Sequence, residues 1–230
     1  LNKWLKILNE KEIISVDTET SSLNPLEADL IGVSFSYAPN KACYIPLAHK
    51  NIKGLEKNLV IKKIKAVLED KSIKKVGQNI KFDFIILKQN GIEISSIEDT
   101  MLVSYTLDAG RNRHNLDTLS EIHLNHKTIS YKDLVGSGKN KLNFSDIKLD
   151  QATEYAAEDA DVTLRLYNFL KKRLDEEKLN KTYEAFEKPM IKLLSTLEYN
   201  GIKVDATYLK KLSKDFDSKL KKIEKEIYKI

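Results

Sequence analysis

The apolar run Ile13-Ile14-Ser15-Val16 stops at Asp17-Thr18-Glu19, and that junction constrains the fold more than any other stretch of the chain. A short apolar run followed by the turn chemistry of Asp17 through Pro25 reads as a buried strand. In an extended chain residues i and i+2 share a face. Asp17 and Glu19 therefore project side by side where the strand leaves the core. Two like charges at a core edge are costly unless a cation sits between them.

The rest of the pattern supplies a body for that strand. Residues 1–10 carry Trp4, Leu5 and Leu8 on one helical face. Leu30 to Tyr37 alternates as a strand, Pro39-Asn40 makes a turn, and Ala42 to Leu47 returns as a third strand, so an antiparallel meander is expected. An amphipathic helix over 57–69, a short strand over Ile73 to Val76 and a helix from Asn79 to Gln89, stopped by Asn90-Gly91, follow. From about residue 99 the pattern is helical: 100–108, 115–124, a looser stretch near 130–147 and a long helix from Leu149 to about Leu174. Strands first, then alternation, then helices implies an α/β domain with a mixed central sheet flanked by helices. A charged stretch at 175–182 suggests a boundary, giving domains 1–178 and 179–230. The second would hold a helix over 182–199, a turn and short strand at Asn200 to Val204, and a Lys-rich helix from Asp205, together a C-terminal helical hairpin.

Composition narrows the class. The 230 residues are 41% hydrophobic and 32% charged, the balance of a soluble globular protein. No apolar run approaches the roughly 20 residues of a membrane helix, and the N-terminus does not resemble a signal peptide, so no membrane association, a cytoplasmic location and a monomer are expected. A lone Cys43 excludes an internal disulfide and argues against a cysteine zinc site. The formal charge of +5 hints at a polyanionic partner. Leu1 at the start and a Lys-rich helix at the end suggest a piece of something longer.

Two further segments carry carboxylates inside apolar surroundings. Gln78-Asn79-Ile80-Lys81-Phe82-Asp83 opens a helix, with Asp83 on its first or second turn. Tyr155-Ala156-Ala157-Glu158-Asp159-Ala160-Asp161 lies in the long helix, where Tyr155 and Asp159 share a face. Glu158 and Asp161 point elsewhere, and the flanking alanines let another backbone or a ligand come close. Alone, each segment has a plain structural explanation: a solvated turn, support of a helix N-terminus, a solvated helix face. Jointly they offer carboxylates from three elements in the order D-x-E, D, Y-x-x-x-D. Oxygen-only ligation without cysteine suits Mg²⁺ or Mn²⁺, and a pair of such ions serves in-line phosphodiester hydrolysis.

The segments VDTET, GQNIKFD and YAAEDADVT resemble the three exonuclease motifs of the DEDD superfamily in its tyrosine-bearing subclass. With LIGVSFSY, YIPLAH, DTMLVSYTLDAGR and HKTISYKDLVGSGKNK between them, the chain from about residue 12 onward resembles the 3′→5′ proofreading domain of the bacterial DNA polymerase I family. The resemblance implies a ribonuclease H-like sheet and a frayed single-stranded DNA 3′ end as substrate. It also implies two divalent ions, Asp17, Glu19 and Asp159 holding one and Asp17 with Asp83 the other. Glu19 and Tyr155 would orient the attacking water, with Tyr155 positioning and not abstracting a proton. Leu23 would wedge against the terminal base, Tyr131 would stack near it, and Thr20, Gln78, Asn79 and Arg113 would contact the strand. Phe82 stands where the family carries tyrosine, so a hydroxyl contact to DNA is missing. Residues 187–205 resemble the opening of the polymerase thumb, which makes the remainder of a polymerase chain an expected partner. The polymerase's own catalytic carboxylates are absent.

Other features yield weaker readings. Gly136-Ser137-Gly138-Lys139-Asn140 lacks the first glycine and the Ser/Thr of a phosphate loop, and is expected to be a flexible basic loop. His114, His123 and His126 lack a closed ligand set. Alternative functions are an RNA-trimming exonuclease of the ribonuclease D type, and a catalytically silent DNA-binding module. The full set Asp17, Glu19, Asp83 and Asp159 argues against the second.

Overall fold

The computed structural model describes residues 1–50, 55–138 and 141–229, so Lys139 and Asn140 of the Gly136–Asn140 loop lie outside the described residues. Contacts divide the chain into two compact units, Leu1–Tyr199 and Asn200–Ile230. Among the described residues no helix is long and apolar enough to cross a membrane.

The first unit is built on a five-stranded mixed sheet in the order β3-β2-β1-β4-β5. Its strands are β1 (Ile13–Thr20), β2 (Leu30–Ala38), β3 (Lys41–Pro46), β4 (Lys74–Gly77) and β5 (Ile97–Asp99). β1 pairs antiparallel with β2 and parallel with β4, and β2 pairs antiparallel with β3. Helices α1 (Asn2–Asn9), α2 (Lys57–Glu69) and α3 (Lys81–Gln89) cover one face, and α4 (Thr100–Asp108), α5 (Leu116–Leu124), α6 (Tyr131–Val135) and the long α7 (Leu149–Glu176) complete the layers. The alternation of β1 decides the arrangement. Ile14 and Val16, fully buried, join the core beneath α2 and α3 with Val60, Ile64 and Ile86. Ser15 faces the other way and donates through Oγ to the Ala160 carbonyl of α7 at 2.6 Å. Ala152, Ala156 and Ala160, one helical turn apart, are all fully buried, so α7 lies close against the sheet as the small residues predict.

The structure departs from the sequence expectations in four places. The strand does not end at Val16: β1 runs through Asp17-Thr18-Glu19 to Thr20, because β2 continues to pair with it as far as Thr20↔Leu30. β5 was not anticipated, since Glu98 and Asp99 are poor strand formers; both are buried there and matched to partners from other elements. The strand expected at Asn200 to Val204 does not form. Ile202 is 90% exposed, and among the described residues no strand pairs with this segment. The helix expected over 182–199 is composite: α8 (Asn180–Thr182), a π-helical turn (Tyr183–Glu187) and α9 (Lys188–Asn200).

The second unit consists mainly of α10 (Ala206–Ile227), started by Asp205, whose carboxylate accepts from the Tyr208 N–H at 2.9 Å. Its apolar side chains Leu209, Phe216, Leu220, Ile223 and Ile227 are at least half exposed.

Candidate active site

Where β1 leaves the core it is held between α7 on one side and α3 on the other. The odd positions Asp17 and Glu19 turn toward α7, and one carboxylate oxygen from each lies within 4.8 Å of one from Asp159. The even position Thr18 turns toward α3. Its Oγ1 and its backbone N–H donate to the same Asp83 oxygen at 2.5 and 2.9 Å. Asp83 stands outside the close triad but lines the same cleft and is 3% exposed. The β1–β2 register slips between Glu19 and Thr20, passing over Ile31; this irregularity lies at the mouth of the site, as bulges often do. Opposite Glu19 stands Gly32, where a Cβ would come within 2.1 Å of the Tyr44 hydroxyl, so only glycine lets that ring pass.

Electrostatics marks the cluster as incomplete. Burial pushes the Asp17 carboxyl up to about 6 against an opposing hydrogen bond from the Thr18 backbone. Burial, then repulsion by Asp17, Asp159 and Asp83, holds Glu19 well above the usual carboxylate range. Asp83 and Asp159 are raised by burial and then by Asp17. Glu19 Oε1 is buried with no hydrogen-bond partner among the described residues. An orphaned buried carboxylate oxygen amid three mutually repelling acids is a donor set that fits hard divalent cations. Burial and the neighbouring Asp159 push the Tyr155 phenol above its ordinary value, so it stays a neutral hydrogen-bond donor. Its ring is held by Phe144 at 6.1 Å and Tyr131 at 5.9 Å between centroids.

These groups share an open cleft of about 760 Å³. Thr20, Leu23, Gln78, Asn79, Phe82 and Tyr131 all line it, with Leu23 81% exposed at its lip. Gln78 is partly spent internally: its amide donates to the His114 carbonyl at 2.8 Å and accepts from the Thr100 hydroxyl at 2.5 Å. Arg113 is exposed and is not among the residues lining the cleft. Glu158 and Asp161 point away as expected, Glu158 accepting from the Ile129 N–H at 2.6 Å and Asp161 from the Asn40 N–H at 2.5 Å. The histidines are engaged elsewhere, His114 with Ser104 and His126 with Glu158, each at 2.9 Å, and His123 packs on Phe169.

Several contributors had no sequence signal beyond proximity to a motif. Thr18 orients Asp83. Asn115, Lys141, Asn143 and Phe144 also line the cleft. Asp99, 2% exposed, accepts from the N–H groups of Asn79, Ile80 and Met101 at 3.0, 3.1 and 2.9 Å. It thereby fixes the left-handed Asn79, at φ 57°, that starts α3 and so places Asp83.

The family described as 3′-5′ exonuclease matches residues 1–175. DNA polymerase I of Rhizobium leguminosarum is 42% identical over 99% of this chain and 24% of its own length, and that of Borreliella burgdorferi is 41% identical over 100% and 25%. The chain thus spans about a quarter of the length of these relatives. Among solved structures, Brucella melitensis NrnC superposes with a TM-score of 0.62 at 25% identity, over 81% of this chain and 83% of that one. The POL domain of Pol1 from M. smegmatis, in complex with DNA primer-template and dNTP, gives 0.76 at 19% identity, over 96% and 34%, a likeness of fold. By its sequence matches, the chain belongs to the 3′-5′ exonuclease family of DNA polymerase I.

Proposed function

We propose that this chain removes nucleotides from the frayed single-stranded 3′ end of DNA, hydrolysing the terminal phosphodiester to release nucleoside 5′-monophosphates, as the proofreading nuclease of a DNA polymerase. The observation that carries the reading is the convergence of Asp17, Glu19 and Asp159 within 4.8 Å, with Asp83 buried in the same cleft and Glu19 Oε1 left without a partner. Asp17, Glu19 and Asp159 would hold one divalent cation, Mg²⁺ or Mn²⁺, and Asp17 with Asp83 a second. Bound there, such a pair supplies Lewis acidity, acidifying water and stabilising the departing 3′ oxygen.

The chain's own residues do the rest. Glu19 and the neutral Tyr155 phenol orient the attacking water toward the terminal phosphorus. A phenol held above its ordinary pKa donates a hydrogen bond and does not take a proton. Leu23 and Tyr131 offer apolar and aromatic surface to the last bases, which is sequence-blind. Thr20, Gln78, Asn79 and Phe82 line the path of the strand, Gln78 mainly as scaffold, and Arg113 would reach the strand only beyond the cleft. Residues 179–230 are read as the beginning of a polymerase domain, with the thumb helices. The protein would act as a cytoplasmic monomer joined to the remainder of that polymerase.

The test is incubation with a 3′-frayed DNA oligonucleotide and Mg²⁺ or Mn²⁺, repeated with chelator, with Asp83→Ala and with an RNA oligonucleotide. Stepwise release of mononucleotides from the 3′ end, lost in the first two controls, is expected. Cleavage that survives chelation would refute the metal-dependent reading, and a preference for RNA would favour a ribonuclease.

A further inference from the structure

We infer that Lys141 is the phosphate-gripping residue of this site, pairing with an internal phosphate of the DNA strand as its 3′ end enters the cleft; the inference rests on the nuclease reading above. The argument begins with charge. Four carboxylates line the cleft, and two divalent cations would only bring their sum to zero. A strand entering with one negative charge per linkage then meets no net attraction unless another cation is supplied. Among the described lining residues Lys141 is the sole cation.

Its placement is built, not incidental. The segment that follows it is pinned at two points: the Leu142 N–H donates to the Val135 carbonyl at 2.9 Å, and the Asn143 amide donates to the Ser21 carbonyl at 2.9 Å. Phe144, 1% exposed, anchors the following turn. The Lys141 ammonium rests over the Tyr131 ring, 5.4 Å from its centroid, which is a weak hold for an exposed cation. It forms no ion pair among the described residues, whereas Lys50 nearby is paired with Asp146 at 2.8 Å. A base stacking on Tyr131 would displace the ammonium from the ring. Its flexible four-carbon stem then lets it reach the adjoining phosphate without backbone movement.

Steady-state cleavage of a 3′-frayed oligonucleotide at fixed Mg²⁺ and varied monovalent salt tests this. Lys141→Ala should raise KM roughly two- to fivefold, the range of an exposed charge pair, with kcat nearly unchanged. It should also lower the salt dependence of kcat/KM by about 0.7 in log–log slope, one single-strand phosphate contact. Lys141→Arg should keep both. Replacing single phosphates near the 3′ end by neutral methylphosphonates should reveal one linkage whose neutralisation harms the parent protein but not Lys141→Ala. An unchanged salt slope, a fall in kcat with KM unaltered, or full additivity at every linkage would overturn the assignment. Absence of cleavage by the parent protein would instead remove the nuclease reading, and this one with it.

Discussion

Thr18 and Asp83, 65 residues apart, are tied by two hydrogen bonds to a single carboxylate oxygen, 2.5 Å from the hydroxyl and 2.9 Å from the backbone N–H. This pair fixes where α3 meets the end of β1, and so where the fourth carboxylate stands relative to Asp17. The other Asp83 oxygen takes no part in it. Thr18 lies between two acids on the strand and faces away from both, which is what allows one tripeptide to serve both sides of the sheet.

Thr18→Val keeps the β-branch and removes the hydroxyl donor, so Asp83 retains only the backbone contact. Cleavage should fall roughly 10-fold or more, because small misplacements of a catalytic group are expensive in rate. Stability should drop by about 1–2 kcal/mol for the lost buried hydrogen bond. Thr18→Ser should recover most of both. Single-turnover rates and thermal melts would check this, and a fully active Thr18→Val would show that the hydroxyl does not position Asp83.

The raised carboxylates make a prediction about pH. Asp17 pushed up to about 6, and Glu19, Asp83 and Asp159 raised with it, mean that the folded state binds protons more tightly than the unfolded chain. In the absence of metal, stability from this cluster is therefore highest near pH 4 and declines as pH rises through about 6 and beyond. Glu19→Gln removes one of the repelling charges at nearly constant shape. In chelator it should melt above the parent protein at pH 7.5, by roughly 2–4 °C for each kcal/mol of repulsion relieved, with the gap closing toward pH 5. Mg²⁺ should raise the melting temperature of the parent at pH 7.5 more than that of the variant, while the variant loses cleavage. A variant less stable than the parent in chelator at pH 7.5 would contradict the sign.

How far the sequence revealed this site follows from the range of the interactions involved. Asp17 with Glu19, and Tyr155 with Asp159, are legible because strand and helix periods alone decide which side chains share a face. The alanines of α7 likewise announce a close approach that the Ser15 bond to Ala160 realises. Thr18 and Asp99 are not legible, because their partners lie 65 and about 20 residues away and appear only once β1, β4 and β5 are side by side. The three-residue β5 carries acids that argue against a strand until their buried partners are known. Resemblance alone assigns Arg113 to the strand, and the fold sets it outside the cleft lining.

Asp99 is buried beneath the start of α3 with three backbone donors, and burial pushes it up to about 6 despite them. Asp99→Asn replaces one acceptor oxygen by an NH₂ group that must face N–H donors. The expected cost is about 1–3 kcal/mol, the range for a buried group left unpaired, together with a cleavage rate reduced well beyond what reduced folding explains. Measuring activity at a temperature where the variant is fully folded separates the two. Undiminished cleavage there would mean the turn at Asn79 holds Asp83 in place without Asp99.

Leu23 is a large apolar side chain left 81% exposed beside an acidic cleft, a position that folding gains almost nothing from. Leu23→Ala should therefore leave the melting temperature within about 1 °C, since a surface change away from caps and cores alters stability by less than about 0.5 kcal/mol. Its effect belongs to the substrate. An apolar group against an unstacked base is worth on the order of 1 kcal/mol or more, so cleavage of a frayed 3′ end should weaken roughly fivefold or more. The loss should be smaller for an end whose last nucleotide is an abasic analogue, which has no base for Leu23 to touch. Equal losses on both ends would show that Leu23 shapes the cleft and does not contact the base.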